Sequence, residues 1–450
     1  MHDAIIGGFL PPRSIVVRSP MGSVALAGMA NVLLKVFAAG TMLVATLVMG
    51  WWLGPEGVGV YAMGFATVTL AGIAARLGLE SVVVREVAIL DQEGRDAELR
   101  GLATFAPSIT TVLAVGLGGG LVIGHLGAPP AVRWTLVAGV GLLVALTATS
   151  MLSGVLRGLH HVTLGNVPLQ LLRPLVFAGG LGVLYTIGAA PEPWLAMGSH
   201  AAAAGVALVF AAGCAWWCLP TGAKVARPRF RVRAWLKAGL PLIVLGGFGI
   251  VLRQTDIIMT SLLAGDAQTG AYSVAVQLSG FALFVLQASN LVVSPRFAAL
   301  HARGAHRELQ HLVSASAGAV LLATLPIAVA LVVVARPLLA LYGDGFAIAE
   351  PAIQILAVAA LVNAATGGVG QLLVMTHHER LVAWTFGITV GVNLVLNAWL
   401  IPRFGLVGAA SATALSMVGW NVALVVAARR ELDIDATVFG LLRNRQETQE

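Results

Sequence analysis

The segment WWLGPEGVGVYAMG, residues 51–64, is a short polar turn set between two long apolar runs, and a looser copy, LAGDAQTGAYSVA, stands at residues 263–275. Sliding the first half of the chain forward by 211 positions lays Gly54 on Gly265, Gly59 on Gly270, Tyr61 on Tyr272 and Arg85 on Arg296 without a gap. Each turn therefore opens an apolar run that closes on an arginine. A second match, at an offset of 217, sets RGLHH, ending at His161, beside VMTHH, ending at His378. Identity elsewhere is thin, and the repeat rests on the agreement of these matches with the order of the apolar runs.

Those runs dominate the chain. Of its 450 residues 58% are hydrophobic and 10% charged, with a mean hydropathy of +0.90, whereas a soluble domain carries roughly a quarter charged residues. The reading is a polytopic, all-α membrane protein. Measured against the roughly 20 residues a helix needs to cross a bilayer, the runs give twelve transmembrane spans: 24–50, 58–84, 101–126, 133–156, 164–188, 194–219, 238–263, 270–294, 311–335, 347–374, 381–401 and 405–428. Short Gly- and Pro-rich turns join them, and none is long enough to fold as a domain.

Basic residues fix the orientation. With the N-terminus inside, the inner segments hold Arg13 and Arg18; Arg85, Arg95 and Arg100; Arg157; the six from Lys224 to Lys237; Arg296, Arg303 and Arg307; Arg380; and Arg429, Arg430, Arg443 and Arg445. The outer turns hold only Arg133, Arg336 and Arg403. One missed or invented span would scramble this asymmetry, so both termini are expected in the cytoplasm. The net charge of +7 is then membrane-flanking charge, and no nucleic-acid partner is expected.

The organisation expected is a cytoplasmic N-terminal segment 1–23, a six-helix half 24–219, a basic cytoplasmic linker 220–237, a second six-helix half 238–428 and a cytoplasmic tail 429–450. Because six is even, both halves enter the membrane in the same sense. That predicts a parallel repeat about an axis along the membrane normal, with a central cavity and binding site between the halves. The linker, TGAKVARPRFRVRAWLKAG at 221–239, reads first as a solvated positive-inside segment; a specific site for anionic lipid or a partner is the alternative. Cys214 and Cys218 read as small core residues. MHDAIIGGFLPPRSIVVRSP at the N-terminus has an apolar patch too short and too broken by Pro11 and Pro12 for a cleavable signal.

Ionisable residues within spans usually face a polar interior, because lipid disfavours them by several kcal/mol. Lys35 in span 1, Arg76 in span 2, Arg173 in span 5 and Arg253 in span 7 are the candidate substrate-binding cations. Glu80, four after Arg76, and Asp256, three after Arg253, share helix faces with them and are candidates for ion coupling or pairing. Arg76 also reads as a snorkelling residue or a partner of Glu80, and Arg253 with Asp256 as a structural pair. Arg173 ends a stripe with Asn166 and Gln170. Four positive charges against two negative predict a cationic cavity and an anionic cargo. Gln287, Asn290, Ser294, Asn363, Gln371, Asn393 and Asn397 read as interhelical hydrogen-bond glue, and Gly246, Gly247 and Gly249 as a bend or a close packing surface in span 7. No catalytic, cofactor or metal constellation stands out. The absence of a GxxxxGK[ST] loop points to an ion gradient of protons or sodium as the energy source.

Several stretches carry a family likeness: LGPEGVGVYAMG followed by RLGLESVVVREVA; GAYSVAVQLSGFALFVLQASNLVVSPRFAALHARG; LYGDGFAIAEPAIQILAVAALVNAATGGVGQLLVMTHHER; and FGLVGAASATALS. The chain resembles, over about residues 24–428, the polysaccharide-biosynthesis flippases of the O-antigen translocase type, in the superfamily that also holds the multidrug extrusion proteins and the lipid II flippase. The resemblance implies a flippase, not an enzyme. Its cargo would be an undecaprenyl-pyrophosphate-linked oligosaccharide, moved by alternating access across a bacterial inner membrane for O-antigen or other surface polysaccharide. The expected associates are the lipid-linked oligosaccharide, membrane lipids and polysaccharide-assembly proteins, with the chain itself a monomer. A drug or cation antiporter of the same fold would want an acidic pocket, and a membrane enzyme of polysaccharide assembly a large outer loop. The sequence offers neither.

Overall fold

The computed structural model describes residues 21–440, and the side chains of residues 30–440 apart from 240–246 and 248. Residues 1–20 and 441–450, with Arg13, Arg18, Arg443 and Arg445, lie outside the described residues, as does the side-chain environment of position 246. All regular structure among the described residues is helical. In order these are α1 (Met21–Arg76), α2 (Leu79–Gln92), α3 (Asp96–Gly124), α4 (Pro130–Gly158), α5 (Val162–Val167), a π-helical turn (Pro168–Leu172), α6 (Arg173–Thr186), α7 (Pro193–Cys218) and α8 (Thr221–Val225). Then follow α9 (Val232–Ala264), α10 (Asp266–Ala302), α11 (His306–Val333), α12 (Ala335–Ala340), a 3-10 turn (Phe346–Ala349), α13 (Glu350–Ala365), α14 (Val369–Met375) and α15 (Glu379–Leu432).

Nine helical stretches among the described residues are long and apolar enough to cross a membrane, and the chain is a multi-pass membrane protein. Two of them are too long to cross once. The 56 residues of α1 would reach roughly 84 Å at 1.5 Å per residue, against a hydrocarbon layer of about 30 Å. The helix reverses at Gly54 (φ 65°, ψ 179°) into arms α1a (21–53) and α1b (55–76). Gly405 (φ 56°, ψ −135°) does the same in α15, giving α15a (379–404) and α15b (406–432). The twelve-span reading requires α1 and α15 each to count as two crossings and the 33-residue α9 to be added to the nine. Through Gly247 and Gly249, α9 runs without a break.

The repeat found in the sequence recurs in the backbone. Gly265 (φ 88°, ψ 169°) holds nearly the same conformation as Gly54, and α10 begins at the next residue, as α1b does after Gly54. Positive φ with extended ψ is essentially a glycine conformation and costs any other residue about 1–3 kcal/mol, so both turns require glycine. At the second match, His160 (φ 65°) and His377 (φ 67°) also share a left-handed backbone where α4 and α14 end.

The helices form two bundles. The first six crossings pack mainly on one another, with α4 against α3, α7 and α1, and the last six likewise, with α15 against α9 and α13 and α10 against α11. The bundles meet where α1 touches α10 and α9 and where α2 touches α9. At the end of the molecule formed by Gly54 and Gly265 the junction is tight. A Cβ on Gly59 would collide with the Asp266 carbonyl, and one on Gly270 with the Pro55 carbonyl. Asp266 is the repeat partner of Pro55, and Gly270 of Gly59, so one contact occurs twice, as across a two-fold interface. The Trp51 indole N–H donates to the Leu341 carbonyl nearby, and Gly50 lies against Tyr342.

The opposite, basic end is trimmed by the chain leaving α15b. Ile434 and Ala436 are buried. The Asp435 carbonyl accepts from Gln310 Nε2 at 2.8 Å and Ser314 Oγ at 3.1 Å, and the Asp435 N–H donates to Gln310 Oε1 at 2.7 Å. Burial acts to raise the Asp435 carboxyl pKa, but the Thr437 N–H and hydroxyl and the Arg429 guanidinium at 2.7 Å outweigh it and hold the group below the usual carboxylate range. A depressed carboxylate contributes stability above its unfolded pKa of about 4 and loses it as pH falls through the lowered folded value. Asp435→Asn is expected to speed hydrogen exchange of amides 434–440 about tenfold at neutral pH, a loss near 1.4 kcal/mol, and wild type to do so only in acid below pH 4 or so. Unchanged exchange in the variant would show that the carboxylate does not hold this segment.

Candidate functional site

A cavity of about 400 Å³ lies between the bundles, walled by α1a, α1b, α9 and α10. On α1a its lining is Ala39, Met42, Thr46 and Met49, a three-and-four spacing that puts one helix face inward. On α1b Val58, Tyr61, Ala62 and Phe65 line it; on α9 Arg253, Gln254 and Ile257; on α10 Ser273, Gln277, Phe281, Phe284 and Gln287. Met49 and Val58 are buried next to the Gly59–Gly270 crossing, so the cavity is closed at that end and extends toward the basic end.

Among the described residues Arg253 is the one charged residue in this wall, and no described carboxylate shares it. Its guanidinium is exposed to the cavity and has no hydrogen bond or ion pair to any other described residue. It stands eleven residues before the end of α9, or about 16 Å of helix rise, which is half of the ~30 Å hydrocarbon layer. The surrounding glutamines and Ser273 supply neutral donors and acceptors, and Phe281 and Phe284 an apolar flank.

The other expected site residues are distributed differently. Lys35 continues the α1a stripe one turn from Ala39 toward the basic end and is exposed, outside the cavity wall. α1a runs from residue 21 to 53, so Lys35 lies near the middle of that helix, about 27 Å of rise from the closed end, beyond the cavity wall toward its mouth. Arg76 is also not in the cavity wall. Its Nε donates to the Gly72 carbonyl at 3.0 Å, and Nη1 lies 3.6 Å from Glu80, whose other oxygen takes Arg157 Nη2 at 2.8 Å. This Arg76–Glu80–Arg157 triad ties α1b, α2 and α4 together at the basic end, so Glu80 is consumed by pairing there.

Arg173 lies inside the first bundle, behind Tyr61. Its Nε is buried without a partner among the described residues, as is Gln170 Oε1, while Asn166 is bonded to Asn31 at 2.8 Å. It is within electrostatic range of Tyr61 and His200, which meet through the Tyr61 hydroxyl and His200 Nδ1 at 2.7 Å; Phe177 stacks on His200 with ring centroids 4.1 Å apart. Arg173 is not among the residues lining this cavity, and its helix packs on α1 and α7.

Asp256 does not pair with Arg253. It is buried, and its carboxylate accepts from Asn397 Nδ2 at 2.6 Å and the Thr413 hydroxyl at 2.6 Å, with the Tyr272 hydroxyl at 3.5 Å. Asn393 Oδ1 takes a second Asn397 proton at 3.0 Å, and Asn397 Oδ1 is buried without a partner among the described residues. The helix-face pair fails because Arg253 turns into the cavity while Asp256, three residues on, turns toward α15. Tyr61 and Tyr272, partners in the repeat, thus each anchor inside their own bundle, one on a histidine and one beside a carboxylate.

The family model described as "Polysaccharide biosynthesis protein" matches residues 25–301, more than half of the chain. The chain belongs to that family. A second model, MatE, matches residues 241–399. The "Probable low-salt glycan biosynthesis flippase Agl15" of Haloferax volcanii is 23% identical over 385 residues, which is 85% of this chain and 78% of the relative. An inward-facing multidrug resistance MATE family transporter superposes with a TM-score of 0.70 at 13% identity, covering 87% of this chain and 94% of that one. Lipid II flippase MurJ, in an inward closed conformation, gives 0.63 at 11% identity, covering 93% and 91%. At such identities these structures show a shared fold.

Within this polysaccharide-biosynthesis chain, sequence reasoning missed Gln254, Gln277, Tyr61 and His200 as members of the cavity and its backing. Gln287, read as glue, lines the cavity. For α10 the signal was present, since Ser273, Gln277, Gly280, Phe284 and Gln287 follow a three-and-four spacing. No comparable pattern singled out His200.

Proposed function

We propose that this chain is a transporter, not an enzyme, that flips a lipid-linked oligosaccharide between the leaflets of a bilayer by alternating access, its diphosphate passing Arg253. The observation that carries this reading is a guanidinium about halfway along the cavity's depth, with no partner and no acid beside it among the described residues, in a polysaccharide-biosynthesis chain. A diphosphate leaving water needs charge-assisted donors, and arginine's planar fork suits its oxygens. Lys35 at the mouth supplies a first contact. An antiporter for organic cations would need carboxylates in this wall, and none is there among the described residues.

In the finer form of the proposal the carrier is undecaprenyl pyrophosphate, the glycan an O-antigen or similar surface polysaccharide, and the membrane the bacterial inner membrane, with both termini and the basic end cytoplasmic. The cavity then faces the cytoplasm. Exposed Leu33, Val36 and Phe37 on α1a and Leu291 and Val292 on α10 flank one side of its mouth, where the polyprenyl tail stays in lipid. The opposite side is closed, with Gly239 against Leu77 and Gly247 against Ile73.

Coupling to an ion gradient fits the Asp256 cluster. It holds a buried carboxylate, the Thr413 hydroxyl and the amide oxygens of Asn393 and Asn397, the last without a partner among the described residues, groups suited to a proton or a hard monovalent cation such as sodium. Asp256→Asn is expected to slow gradient-driven flipping by tenfold or so and to remove its dependence on the imposed ion; a variant that still follows the gradient would exclude Asp256 from coupling. The proposal itself is tested in proteoliposomes with a fluorescent lipid-diphosphate oligosaccharide. Protein-dependent appearance of the glycan in the far leaflet is expected. No translocation above protein-free vesicles, under either gradient, would overturn it.

A further inference from the structure

A second cleft, of about 160 Å³, opens on the outside of the first bundle at its basic end. Its walls are apolar, from Ala103 of α3, Val155 of α4 and Ala212 and Trp216 of α7, and its rim carries two cations, Arg100 of α3 and Lys224 of α8. Trp216 and Trp217 beside it are 58% and 84% exposed, the position that indoles take at a membrane–water boundary. We infer that this cleft is a binding site for an anionic phospholipid of the inner leaflet, one acyl chain lying in the cleft and the phosphate held by Arg100 and Lys224.

The two cations are held in place and lack counter-ions. Arg100 Nη1 donates to the carbonyls of Lys224 at 2.6 Å and Ala226 at 2.8 Å, and Lys224 Nζ donates to the Trp217 carbonyl at 3.0 Å. Neither forms an ion pair with a described carboxylate, and Glu98, two residues before Arg100, is paired with Arg95 and Arg231. The remaining N–H groups of both side chains are left for a ligand, and two fixed cations side by side match a phosphate.

The repeat supplies a control within the same molecule. At the matching place in the second bundle, the chain leaving α15b is bonded to α11 by neutral Gln310 and Ser314, while Asp435 of that chain pairs with Arg429 of α15b itself. The contact from the third helix of a bundle to the departing chain therefore does not itself require an arginine on that helix. The charge at Arg100, placed over an apolar cleft at the lipid boundary, is accounted for by an anionic headgroup.

Native mass spectrometry of the purified full chain, titrated with phosphatidylglycerol or phosphatidylcholine, tests this. Wild type is expected to retain one phosphatidylglycerol in preference to phosphatidylcholine. Lys224→Gln removes one rim charge and is expected to weaken retention about fivefold; Ala212→Phe fills the cleft from its exposed side and is expected to abolish it. Arg233→Gln, an exposed linker change away from the cleft, should leave it unaltered. Equal retention of the two lipids, wild-type retention in Lys224→Gln, or an equal loss in Arg233→Gln would each overturn the assignment. Should Ala212→Phe fail to fold, Lys224→Gln against Arg233→Gln decides alone.

Discussion

Proteoliposomes carrying Arg253→Ala are expected to flip the lipid-diphosphate oligosaccharide about a hundredfold more slowly than wild type, with normal membrane insertion. The magnitude follows from the geometry. Arg253 is the one charge in the cavity wall among the described residues, about 16 Å of helix rise from the end of α9, and a diphosphate passing there meets no other described cation to replace its hydration. Truncating one member of a desolvated charge pair costs about 2–5 kcal/mol, and each 1.4 kcal/mol is tenfold. Arg253→Lys keeps the charge but loses the planar fork, so it should recover part of the rate. Its stem is also shorter, which sets the charge back from the cavity axis. A rate for Arg253→Ala within threefold of wild type would remove the residue from the mechanism.

The second large effect is expected at the crossing of α1b and α10. Each of Gly59 and Gly270 faces a backbone carbonyl of the other bundle, and a carbonyl in a helix start cannot swing aside as a side-chain tip can. A methyl group there forces the two helix starts apart, at a cost of about 1–3 kcal/mol for each site. The double variant Gly59→Ala with Gly270→Ala should therefore shift the population by roughly a hundredfold or more toward states open at this end. Transport should fall in step, because the state open toward the basic end is depleted. The check is a single cysteine at Met49, buried beside the crossing, in a chain with Cys214 and Cys218 replaced by serine. A membrane-impermeant thiol reagent added on the closed side should label it in the glycine variant and not in the wild-type background. Gly116→Ala, where an added Cβ meets nothing within 4 Å, serves as the control. Equal labelling of variant and background would mean that the crossing is not the seal.

Much of this architecture was legible from residues 51–64 and their copy. The requirement for glycine at 54 and 265 is local, a matter of backbone torsions, and so it shows in sequence. The basic ends are legible for a similar reason, since the charge of Arg85, Arg157 or Arg429 must stay out of hydrocarbon whatever the packing. Helix counting is harder, because a reversal at one glycine leaves α1 and α15 continuous in hydrogen bonding on both sides of the bend. In the cavity, Arg253 was reached by depth alone. Depth could not say which cation lines the cavity: Arg173 sits at a comparable level, yet it is not in the wall, and its helix packs on α1 and α7. Arg76 and Glu80 were correctly read as neighbours four apart, but the third member, Arg157, comes from another helix. Asp256 shows the limit most plainly. Its partners Asn397 and Thr413 are 141 and 157 residues away, and the local i,i+3 relation to Arg253 suggested a pair that the helix rotation does not make.

The two tyrosines extend the same lesson. Tyr61 and Tyr272 marked the repeat in sequence, and both are buried at matching places. Their partners have diverged to a histidine in one bundle and a carboxylate cluster in the other. The scaffold is thus symmetric in its turns and crossings and asymmetric in its titratable groups. Arg253, whose repeat partner is Met42, adds to that asymmetry: a central cavity between like halves carries its charge on one wall only.

The central claim is that Arg253 selects cargo by its diphosphate, and headgroup exchange measures it most directly. Two fluorescent lipids with the same polyprenyl tail and oligosaccharide, one joined by a diphosphate and one by a neutral ether, are compared in the same proteoliposomes. Protein-dependent flipping of the diphosphate lipid, with none of the neutral lipid, is the predicted result, and Arg253→Ala should erase the difference. Equal flipping of both lipids by the wild-type protein would contradict the account.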